Sequence, residues 1–158
     1  MFDTVLVAGL GLMGGSMAKT IKARTLSRVL GWNRTRATAE QALADGSIDA
    51  IATDALFREV DLVIIGLYPQ ATVDWLLENM PKMKKGCVIV DMVGVKQFMV
   101  DHLEQAALDA GVHYVGGHPM AGREFSGLDY ALPTLFDGAS MIFVPTRSSS
   151  ERILSQLE

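Results

Sequence analysis

Residues 5–21 read VLVAGLGLMGGSMAKTI, an apolar run that passes through a glycine-rich turn into a helical pattern. Gly9, Gly11 and Gly14 have the G-x-G-x-x-G spacing, directly after a predicted strand and at the start of a predicted helix. In such a turn the first glycine permits a sharp bend, the second lets a pyrophosphate approach the backbone, and the third lets helix and strand pack closely. The stretch therefore predicts a dinucleotide site at the first strand-to-helix junction.

The helix after this turn adds a second feature that favours an anionic ligand. Free backbone N–H groups at a helix N-terminus, together with the helix dipole, attract phosphates. Leu12 and Met13 lie between the second and the third glycine, where the chain enters the helix. We therefore expect both residues to belong to the cofactor-binding turn.

The rest of the chain alternates short apolar runs with helical segments, which is typical of a mostly parallel sheet with crossover helices. The predicted strands are Thr4–Ala8, Val29–Trp32, a short one near Ile51, Leu62–Leu67, Val88–Asp91, Tyr114–Gly117 and Met141–Val144. The predicted helices cover residues 14–26, 36–46, 70–80 and 96–110. We expect an α/β, doubly wound dinucleotide-binding domain of the Rossmann type over residues 1–147, followed by the start of a connecting helix over residues 148–158.

Length and composition exclude several classes of protein. The chain has 158 residues, of which 49% are hydrophobic and 20% charged, so it has room for one well-buried domain. Its 14 Lys and Arg are scattered among 18 Asp and Glu, for a net charge of -4, unlike the basic surface of a nucleic-acid-binding protein. No apolar run approaches the ~20 residues that span a bilayer. We expect a small-molecule substrate, and neither nucleic acid nor a membrane as a partner.

Cysteine and histidine usage argues against a metal site. The single cysteine, Cys87, lies in an apolar run, which indicates a buried side chain in the reducing environment of the cytoplasm. The 3 histidines are far apart and have no Cys or acidic residue at ligand spacing, so we expect no metal. His102 and His113, in a predicted helix and at its exit, are predicted to be surface residues.

The end of the second strand indicates which dinucleotide would bind. An acidic residue there would accept hydrogen bonds from the ribose 2′-hydroxyl of NAD and repel a 2′-phosphate. Here Asn33 is neutral and Thr35 adds a hydroxyl. Arg34 or Arg36 can form a charge-assisted hydrogen bond to a phosphate, so the pattern favours NADP over NAD. In the alternative interpretation, the arginines are solvated residues at a helix start.

We expect the carboxyl edge of the sheet to hold the substrate, because ligands of open α/β sheets bind beyond the strand ends. Tyr68 follows the fourth strand, where it either flanks the nicotinamide or covers the edge of the sheet. Gly94 follows the fifth strand, just before a helix start that can receive a carboxylate. The sixth strand leads into residues 116–122, the most informative of these stretches.

His118 is the candidate catalytic residue. It follows two glycines, which let a ligand approach, and precedes a proline, which favours an extended backbone. This combination aims the imidazole from the strand end into the cleft. A neutral imidazole can take a proton from a hydroxyl as hydride leaves the carbon that bears it, or the neighbouring framework. The alternative is a structural histidine.

Several motifs follow one another along nearly the whole chain. In order, they are Gly9–Ser16, Asp61–Ile64, Asp91–Lys96, His118–Gly122, Glu124, Ser126–Gly127, Leu135–Phe136 and Val144–Thr146. Together they resemble the amino-terminal, nucleotide-binding domain of the prephenate and arogenate dehydrogenases. The His-Pro-Met-Ala-Gly segment followed by Ser-Gly is far more specific to that family than the glycine spacing is.

The resemblance implies an enzyme of tyrosine biosynthesis that carries out an oxidative decarboxylation. In that family, hydride passes from the ring carbon bearing the 4-hydroxyl to the nicotinamide while the ring carboxylate leaves as carbon dioxide. Carried over by motif, His118 hydrogen-bonds and polarises the 4-hydroxyl, and Lys96 and Glu124 line the substrate cleft. The protein then contributes proton removal and orientation rather than covalent chemistry.

The family also has a helical domain after the nucleotide-binding domain, which forms a homodimer and supplies an arginine for the substrate carboxylate. No such domain lies within these 158 residues. We therefore expect the chain to bind the cofactor and to be weak or inactive in turnover. The capped helix start at residues 148–150 indicates either a longer natural chain or a helix that closes the domain.

Three positions depart from the family pattern in the substrate cleft. The usual Asp-x-Gly-Ser-x-Lys segment has Val93 and Gly94 in place of glycine and serine, so the hydroxyl that would orient the histidine is missing. A backbone group or a water would then hold His118. Arg123 stands where a small hydroxyl residue is frequent, which would give the substrate side chain a cationic partner.

Two other functions stay open at this point. A β-hydroxyacid dehydrogenase would share the glycine turn and the Trp32–Thr35 segment, but its catalytic lysine would lie in a later domain. A non-enzymatic dinucleotide sensor would use the same fold to report cofactor occupancy to a partner. The sequence also leaves open the choice between prephenate and arogenate, and any feedback by tyrosine.

Overall fold

A computed structural model of the protein describes residues 2–158, which form a mostly parallel β-sheet with α-helices on both faces. The strands are β1 (Thr4–Ala8), β2 (Arg28–Trp32), β3 (Ala50–Ile51), β4 (Leu62–Ile65), β5 (Val88–Asp91), β6 (His113–Pro119) and β7 (Met141–Pro145). The helices are α1 (Leu12–Arg24), α2 (Arg36–Ala44), α3 (Pro69–Asn79), α4 (Lys96–Ala110) and α5 (Glu151–Leu157). Short 3-10 turns lie at Leu56–Glu59, Met80–Lys82 and Leu128–Tyr130.

The strand order places a reversal point in the middle of the sheet. The 7-stranded sheet runs β3-β2-β1-β4-β5-β6-β7, with β1 to β6 parallel and β7 antiparallel to β6. The predicted doubly wound α/β fold is confirmed, and no residue from 2 to 158 belongs to a second, helical domain. Ligands of such sheets bind where the strand order reverses, which here is between β1 and β4.

Alternating apolar side chains of the central strands fill the core on both sides of the sheet. Leu6 and Ile89 pack with apolar residues of α3 and α4 on one face. On the other face Val7 packs with α1 and α2, whereas Val90 lies in a cluster that includes Ile153 of α5. Full burial of each such side chain contributes about 1.5–3 kcal/mol, so these layers hold the strand ends on which the site is built.

Several element boundaries differ from the predicted ones because of close contacts at the turns. Helix α1 begins at Leu12 rather than at residue 14, so Gly14 lies in its first turn. Strand β4 ends at Ile65, earlier than predicted, because Gly66 passes against the glycine turn: a Cβ at Gly66 would lie 3.1 Å from the Cα of Gly14. Helix α4 ends at Ala110 as predicted, and Gly111, with a φ of 70°, forms its left-handed C-cap.

Strand β6 is longer than predicted and carries His118 within the sheet rather than beyond its end. It extends to Pro119 because β7 returns antiparallel along it, pairing His118 with Ile142. The backbone that precedes the proposed catalytic side chain is therefore fixed by neighbours on both sides, β5 and β7.

The two other histidines differ in exposure. His113 begins β6 and is half-buried, with Nδ1 2.6 Å from the carbonyl oxygen of Ser148. Its predicted surface position is therefore wrong, because the chain enters the sheet directly after the cap of α4. His102, on α4, is exposed as predicted.

A long irregular segment, residues 120–140, connects β6 to β7 and packs against α1. Leu128 is buried, and the Ser16 hydroxyl oxygen accepts a hydrogen bond from the N–H of Leu132 at 3.0 Å. Gly15 leaves space for this packing, since a Cβ there would lie 2.7 Å from a methyl carbon of Leu128. The segment is thereby anchored beside the glycine turn.

Helix α5 closes one face of the domain. It begins at Glu151, where the Ser150 hydroxyl accepts a hydrogen bond from the Ile153 N–H at 3.4 Å, and its apolar side chains pack on the sheet. That residues 148–158 also begin a connecting helix stays a prediction. Within the described residues, no helix has the length and apolar character needed to cross a membrane.

Candidate functional site

The glycine turn between β1 and α1 has one position that protein packing does not explain. Gly9 has a φ of 89°, and a Cβ there would lie 2.7 Å from the carbonyl oxygen of Gly66. Gly14 lies so close to the turn that a Cβ would overlap the carbonyl oxygen of Gly9. Gly11 is different, because a Cβ there would meet nothing within 4 Å. The open space beside Gly11, at the N-terminus of α1, is suited to an approaching phosphate.

Two clefts meet at this turn. The first, which we call the β2 cleft, has a volume of about 500 Å³ and lies between the glycine turn, the end of β2 with Trp32–Thr35, and α3. The second, the loop cleft, has a volume of about 350 Å³ and lies between Gly11–Met13 and Phe125–Gly127. Gly11 and Gly66–Tyr68 line both clefts, so a ligand bound at Gly11 can extend into each.

Tyr68 stands where the two clefts join. It is the N-cap of α3 and is 87% exposed, so it does not cover the edge of the sheet. Leu12 is buried and Met13 half-buried in the wall of the loop cleft. That the Tyr68 ring flanks the nicotinamide stays a prediction.

Asn33 links the end of β2 to the glycine turn. Its side-chain oxygen accepts a hydrogen bond from the N–H of Leu10 at 2.9 Å, and its side-chain amide donates one to the carbonyl oxygen of Thr35 at 3.0 Å. The side-chain oxygen therefore holds the glycine turn against the end of β2, the side-chain amide holds the bend that follows β2, and Asn33 also lines the β2 cleft. The sequence pattern indicates the position of Asn33 but not this positioning role.

The two arginines near the start of α2 differ in their surroundings. Arg36 donates from Nε to the Glu40 carboxylate at 2.8 Å, and it does not line the β2 cleft. Arg34 does line that cleft, together with Thr35, and forms no ion pair with any residue from 2 to 158. Arg34 is therefore the arginine whose guanidinium is available to a ligand in the β2 cleft.

His118 and Gly94 lie together at the neighbouring ends of β6 and β5. A Cβ at Gly94 would lie 3.5 Å from Cε1 and 3.8 Å from Nδ1 of the imidazole ring. His118 Nδ1 is buried and has no hydrogen-bond partner among residues 2–158. The missing hydroxyl at position 94 thus leaves one ring nitrogen unpaired, and the expected backbone partner is not found in this part of the chain. The other nitrogen, Nε2, is the one left to meet a ligand.

Lys96 belongs to a buried polar cluster at the end of β5. Its ammonium pairs with Asp91, which is fully buried and accepts hydrogen bonds from the Tyr114 hydroxyl at 2.7 Å and the Val93 N–H at 2.8 Å. Burial lowers the pKa of Lys96, and the Asp91 carboxylate offsets part of that shift. Burial, and then the charge of Asp91, raises the pKa of Tyr114 well above its usual range. Tyr114 is therefore a neutral donor to Asp91.

The sequence pattern indicates Lys96 but not the two residues that hold it. Lys96 is half-buried and crosses β6 at Gly116, where a Cβ would lie 2.9 Å from Lys96 Cδ. The available signal is Asp91, a carboxylate that ends an otherwise apolar strand and so requires a buried partner. Asp91 and Tyr114 are positioning residues for Lys96.

Arg123 and Glu124 lie in the segment after β6 and are exposed. Arg123 stacks over the ring of Phe125, with Cζ 5.1 Å from the ring centroid, and donates to the Tyr130 carbonyl oxygen at 3.2 Å. The wall of the loop cleft is formed by the residues that follow, Phe125–Gly127, and not by Arg123 or Glu124. The substrate roles of these two residues stay predictions.

The described residues offer neither a metal site nor a reactive thiol. No three His, Cys, Asp or Glu side chains between residues 2 and 158 come close enough together to hold a metal ion. Cys87 is buried in the core, as predicted, and burial raises the pKa of its thiol to about 12. Cys87 is therefore a core residue and not a nucleophile.

Comparison with known proteins tests the resemblance of the sequence motifs to the prephenate and arogenate dehydrogenases. A family model described as "Prephenate dehydrogenase, nucleotide-binding domain" matches residues 17–158. The chain is 35% identical to the prephenate dehydrogenase of Bacillus subtilis (strain 168), in an alignment that covers 100% of this chain and 43% of that protein. The chain thus spans less than half the length of this relative.

Two solved structures are similar over nearly the whole chain. Prephenate dehydrogenase from A. aeolicus, in complex with hydroxyphenyl propionate and NAD+, is 26% identical with a TM-score of 0.89, covering 99% of this chain and 55% of that one. Synechocystis arogenate dehydrogenase is 26% identical with a TM-score of 0.86, and the match covers 98% of this chain and 54% of that one. The resemblance is confirmed, and the chain belongs to the prephenate dehydrogenase family, as its nucleotide-binding domain.

Proposed function

We propose that this chain binds NADP at the glycine turn and is the cofactor-binding domain of a prephenate or arogenate dehydrogenase. The observation that carries the proposal is the open space at Gly11, where two clefts meet at a helix N-terminus. Packing within the protein accounts for the missing side chains of Gly9 and Gly14 but not for that of Gly11. A pyrophosphate against the backbone accounts for it, and the A. aeolicus relative has NAD+ bound.

The two clefts suit the two halves of a dinucleotide. In a sheet of this order the adenosine ribose lies over the end of β2, so the adenosine half occupies the β2 cleft. The nicotinamide half then extends into the loop cleft, beside Met13 and Tyr68. The bound nicotinamide supplies the hydride acceptor, and the protein supplies its orientation.

NADP is preferred over NAD in this proposal because of Arg34. No carboxylate stands at the end of β2 to accept the ribose hydroxyls of NAD. A 2′-phosphate in the β2 cleft would accept charge-assisted hydrogen bonds from Arg34 and a further one from the Thr35 hydroxyl. Arg36 contributes less, because its guanidinium pairs with Glu40.

Calorimetric titration of the chain with NADP+ and, separately, with NAD+ tests both parts of this proposal. We expect saturable binding, with NADP+ at least about tenfold tighter, as one charge-assisted hydrogen bond provides. Equal affinities would overturn the choice of NADP while keeping the dinucleotide site. Failure of both cofactors to bind would overturn the proposed function.

For the reaction, His118 is the residue that meets the substrate hydroxyl. Its backbone is fixed in β6, its Nδ1 is buried, and its Nε2 is left for a ligand beyond the strand end. Nε2 hydrogen-bonds and polarises the ring hydroxyl while hydride leaves the same carbon and the ring carboxylate departs as carbon dioxide. Asp91 and Tyr114 keep Lys96 at the same edge of the sheet.

The chain by itself is proposed to turn over weakly or not at all, and the complete enzyme to be a homodimer formed through a helical domain. Of the two cations at the substrate end, Lys96 pairs with Asp91, and Arg123 stacks on Phe125 without an ion pair among the described residues. The charge of Lys96 is therefore already balanced by Asp91, and Arg123 lies exposed on the segment after β6 rather than in the wall of the loop cleft. Appreciable reduction of NADP+ by this chain with either prephenate or arogenate would contradict this part of the proposal.

The two alternatives have less support. A β-hydroxyacid dehydrogenase would leave the His118–Gly122 segment without a role. A dinucleotide sensor would bind NADP+ and show no turnover even when joined to a helical domain, so that assay separates a sensor from an enzyme.

A further inference from the structure

Two stacked aromatic rings lie at the wall of the loop cleft that faces the glycine turn. Phe125 and Tyr130 are almost parallel, with ring centroids 4.7 Å apart and an angle of 11° between the ring planes. Phe125 lines the cleft and is 50% exposed, and Tyr130 is 45% exposed. Exposed apolar surface beside a cleft is typical of a ligand-binding groove. The cofactor site as described so far gives this pair of rings no role.

The backbone around Phe125 has little support of its own. Among residues 2–158, no backbone hydrogen bond joins residues 121–126 to another part of the chain. Arg123 supplies side-chain contacts instead. Its Cζ lies 5.1 Å from the centroid of the Phe125 ring, and its Nη1 donates to the Tyr130 carbonyl oxygen at 3.2 Å. The position of Phe125 therefore depends on its contacts with Arg123 and Tyr130.

Tyr130 belongs to a part of the chain that is fixed to α1. Leu128 is buried against this helix, and the Leu132 N–H donates to the Ser16 hydroxyl on the same helix at 3.0 Å. The residues on either side of Tyr130 are thus held by the helix that begins at the glycine turn. Stacking on Tyr130 extends that support to Phe125, across the loop cleft from the turn.

We propose that Phe125 is the residue against which the nicotinamide half of the cofactor packs, and that Arg123 and Tyr130 are positioning residues for its ring. The inference rests on the proposed function, because it needs the nicotinamide half in the loop cleft. A ring that is fixed before the ligand arrives loses little conformational freedom on binding, so its contact strengthens cofactor affinity. Arg123 then acts through Phe125 and not on the substrate.

Calorimetric titrations with NADP+, and with 2′,5′-ADP as its adenosine half, test this contact in the absence of substrate. Phe125→Ala should weaken NADP+ by about 5- to 20-fold and leave 2′,5′-ADP within about twofold, because only the nicotinamide half reaches the loop cleft. Equal NADP+ affinities of Phe125→Ala and the wild-type chain would overturn the inference. A loss shared equally by 2′,5′-ADP would also overturn it, because Phe125 would then support the fold and not the nicotinamide.

The positioning residues have a matched control in Tyr130→Phe, which keeps the stacked ring. Tyr130→Ala and Arg123→Ala should each weaken NADP+ by about 2- to 5-fold with 2′,5′-ADP unchanged, whereas Tyr130→Phe should bind as the wild-type chain does. Because no substrate is present, an arginine that only binds substrate would leave NADP+ affinity unchanged when it is replaced. That result for Arg123→Ala would overturn its positioning role.

A second readout follows the nicotinamide ring directly. The fluorescence of the reduced nicotinamide of NADPH increases when the ring leaves water for an apolar cleft, so bound NADPH should emit less with Phe125→Ala than with the wild-type chain. Equal emission of the two bound forms would overturn the inference. Failure of the wild-type chain to bind NADP+ or NAD+ at all would overturn the proposed function together with the inference. Normal cofactor binding without a Phe125 effect overturns the inference alone.

Discussion

The cofactor end and the substrate end of the site differ in how completely this chain builds them. At the cofactor end, the Asn33 amide holds the glycine turn on one side, and Gly14 packs directly on it from the other. At the substrate end, His118 Nδ1 has no partner among the described residues, and Gly94 leaves open space beside it. We therefore expect cofactor binding to be a property of this domain, and orientation of the proposed catalytic imidazole to require a further group.

The difference follows from how each end is assembled. The glycine turn is a single βα junction, and its partner at the end of β2 is brought in by continuous pairing of β1 with β2. The substrate end combines the end of β5, strand β6 and the irregular segment 120–140, and β6 is paired there with β7, which returns antiparallel after that segment. Each of these elements is held by different neighbours. No nearby group therefore replaces the hydroxyl that is missing at Gly94 as a partner for His118 Nδ1.

The largest expected effect is at His118. In a chain that joins this domain to a helical domain of the family, His118→Asn should lower kcat with prephenate or arogenate by about 10²-fold or more, because general acid–base groups contribute about 10²–10⁴-fold. Initial rates measure this, and titration of the same variant with NADP+ is the control, since the substituted side chain lies at the substrate end. A rate loss under about fivefold would remove His118 from the mechanism.

Gly11→Ala and Gly9→Ala should separate the effect of a ligand from that of packing. Gly9→Ala puts a Cβ at a φ of 89° and 2.7 Å from a carbonyl oxygen, so the free energy of unfolding should fall by about 1–3 kcal/mol or more. Gly11→Ala should leave stability within about 1 kcal/mol, the range expected at a helix N-cap. Its methyl group would instead occupy the pyrophosphate position and weaken NADP+ by about tenfold or more.

Urea unfolding and calorimetry on both variants measure these two quantities. Tight NADP+ binding by Gly11→Ala, at the wild-type level, would show that the pyrophosphate does not lie against this backbone. In that case the open space at Gly11 would not mark a cofactor position, and the cofactor end would no longer be better defined than the substrate end.

The sequence predicts the cofactor end better than the substrate end. The reason is the distance along the sequence between the residues that are in contact. The spacing of the glycines and the run Asn33–Arg36 are local patterns, so their positions follow from the order of strands and helices. The hydrogen bonds of Asn33 and the different partners of Arg34 and Arg36 depend on side-chain geometry, which spacing does not contain. The place of His118 inside β6 depends on pairing with β7, a distant strand that returns antiparallel.

The two arginines provide a smaller, matched test at the cofactor end. Arg34→Ala should weaken NADP+ by about tenfold and NAD+ by less than about twofold, because a hydrogen bond to a charged group contributes ~1.5–3 kcal/mol. Arg36→Ala should weaken NADP+ less than about threefold, since its guanidinium pairs with Glu40 at 2.8 Å. A loss under about threefold in the double variant would refute the choice of NADP.

The smallest expected effect is a gain in stability at the substrate end. Gly94→Ser adds a hydroxyl beyond a Cβ position that lies 3.8 Å from His118 Nδ1, within hydrogen-bond reach of the ring. We expect the free energy of unfolding to rise by about 0.5–1.5 kcal/mol relative to Gly94→Ala, the control with the same Cβ and no hydroxyl. Using alanine as the reference also removes the unfolded-state entropy change of replacing glycine.

Denaturant unfolding of the two variants decides whether the two ends of the site differ as described. Equal stabilities would mean that His118 Nδ1 already has a partner, such as a bound water, so the substrate end is as complete as the cofactor end. A more stable serine variant would show that the open space at Gly94 is a deficit of this chain. Because the ring is held only by its strand in that case, the complete enzyme must orient His118 through water, substrate or a residue outside this domain.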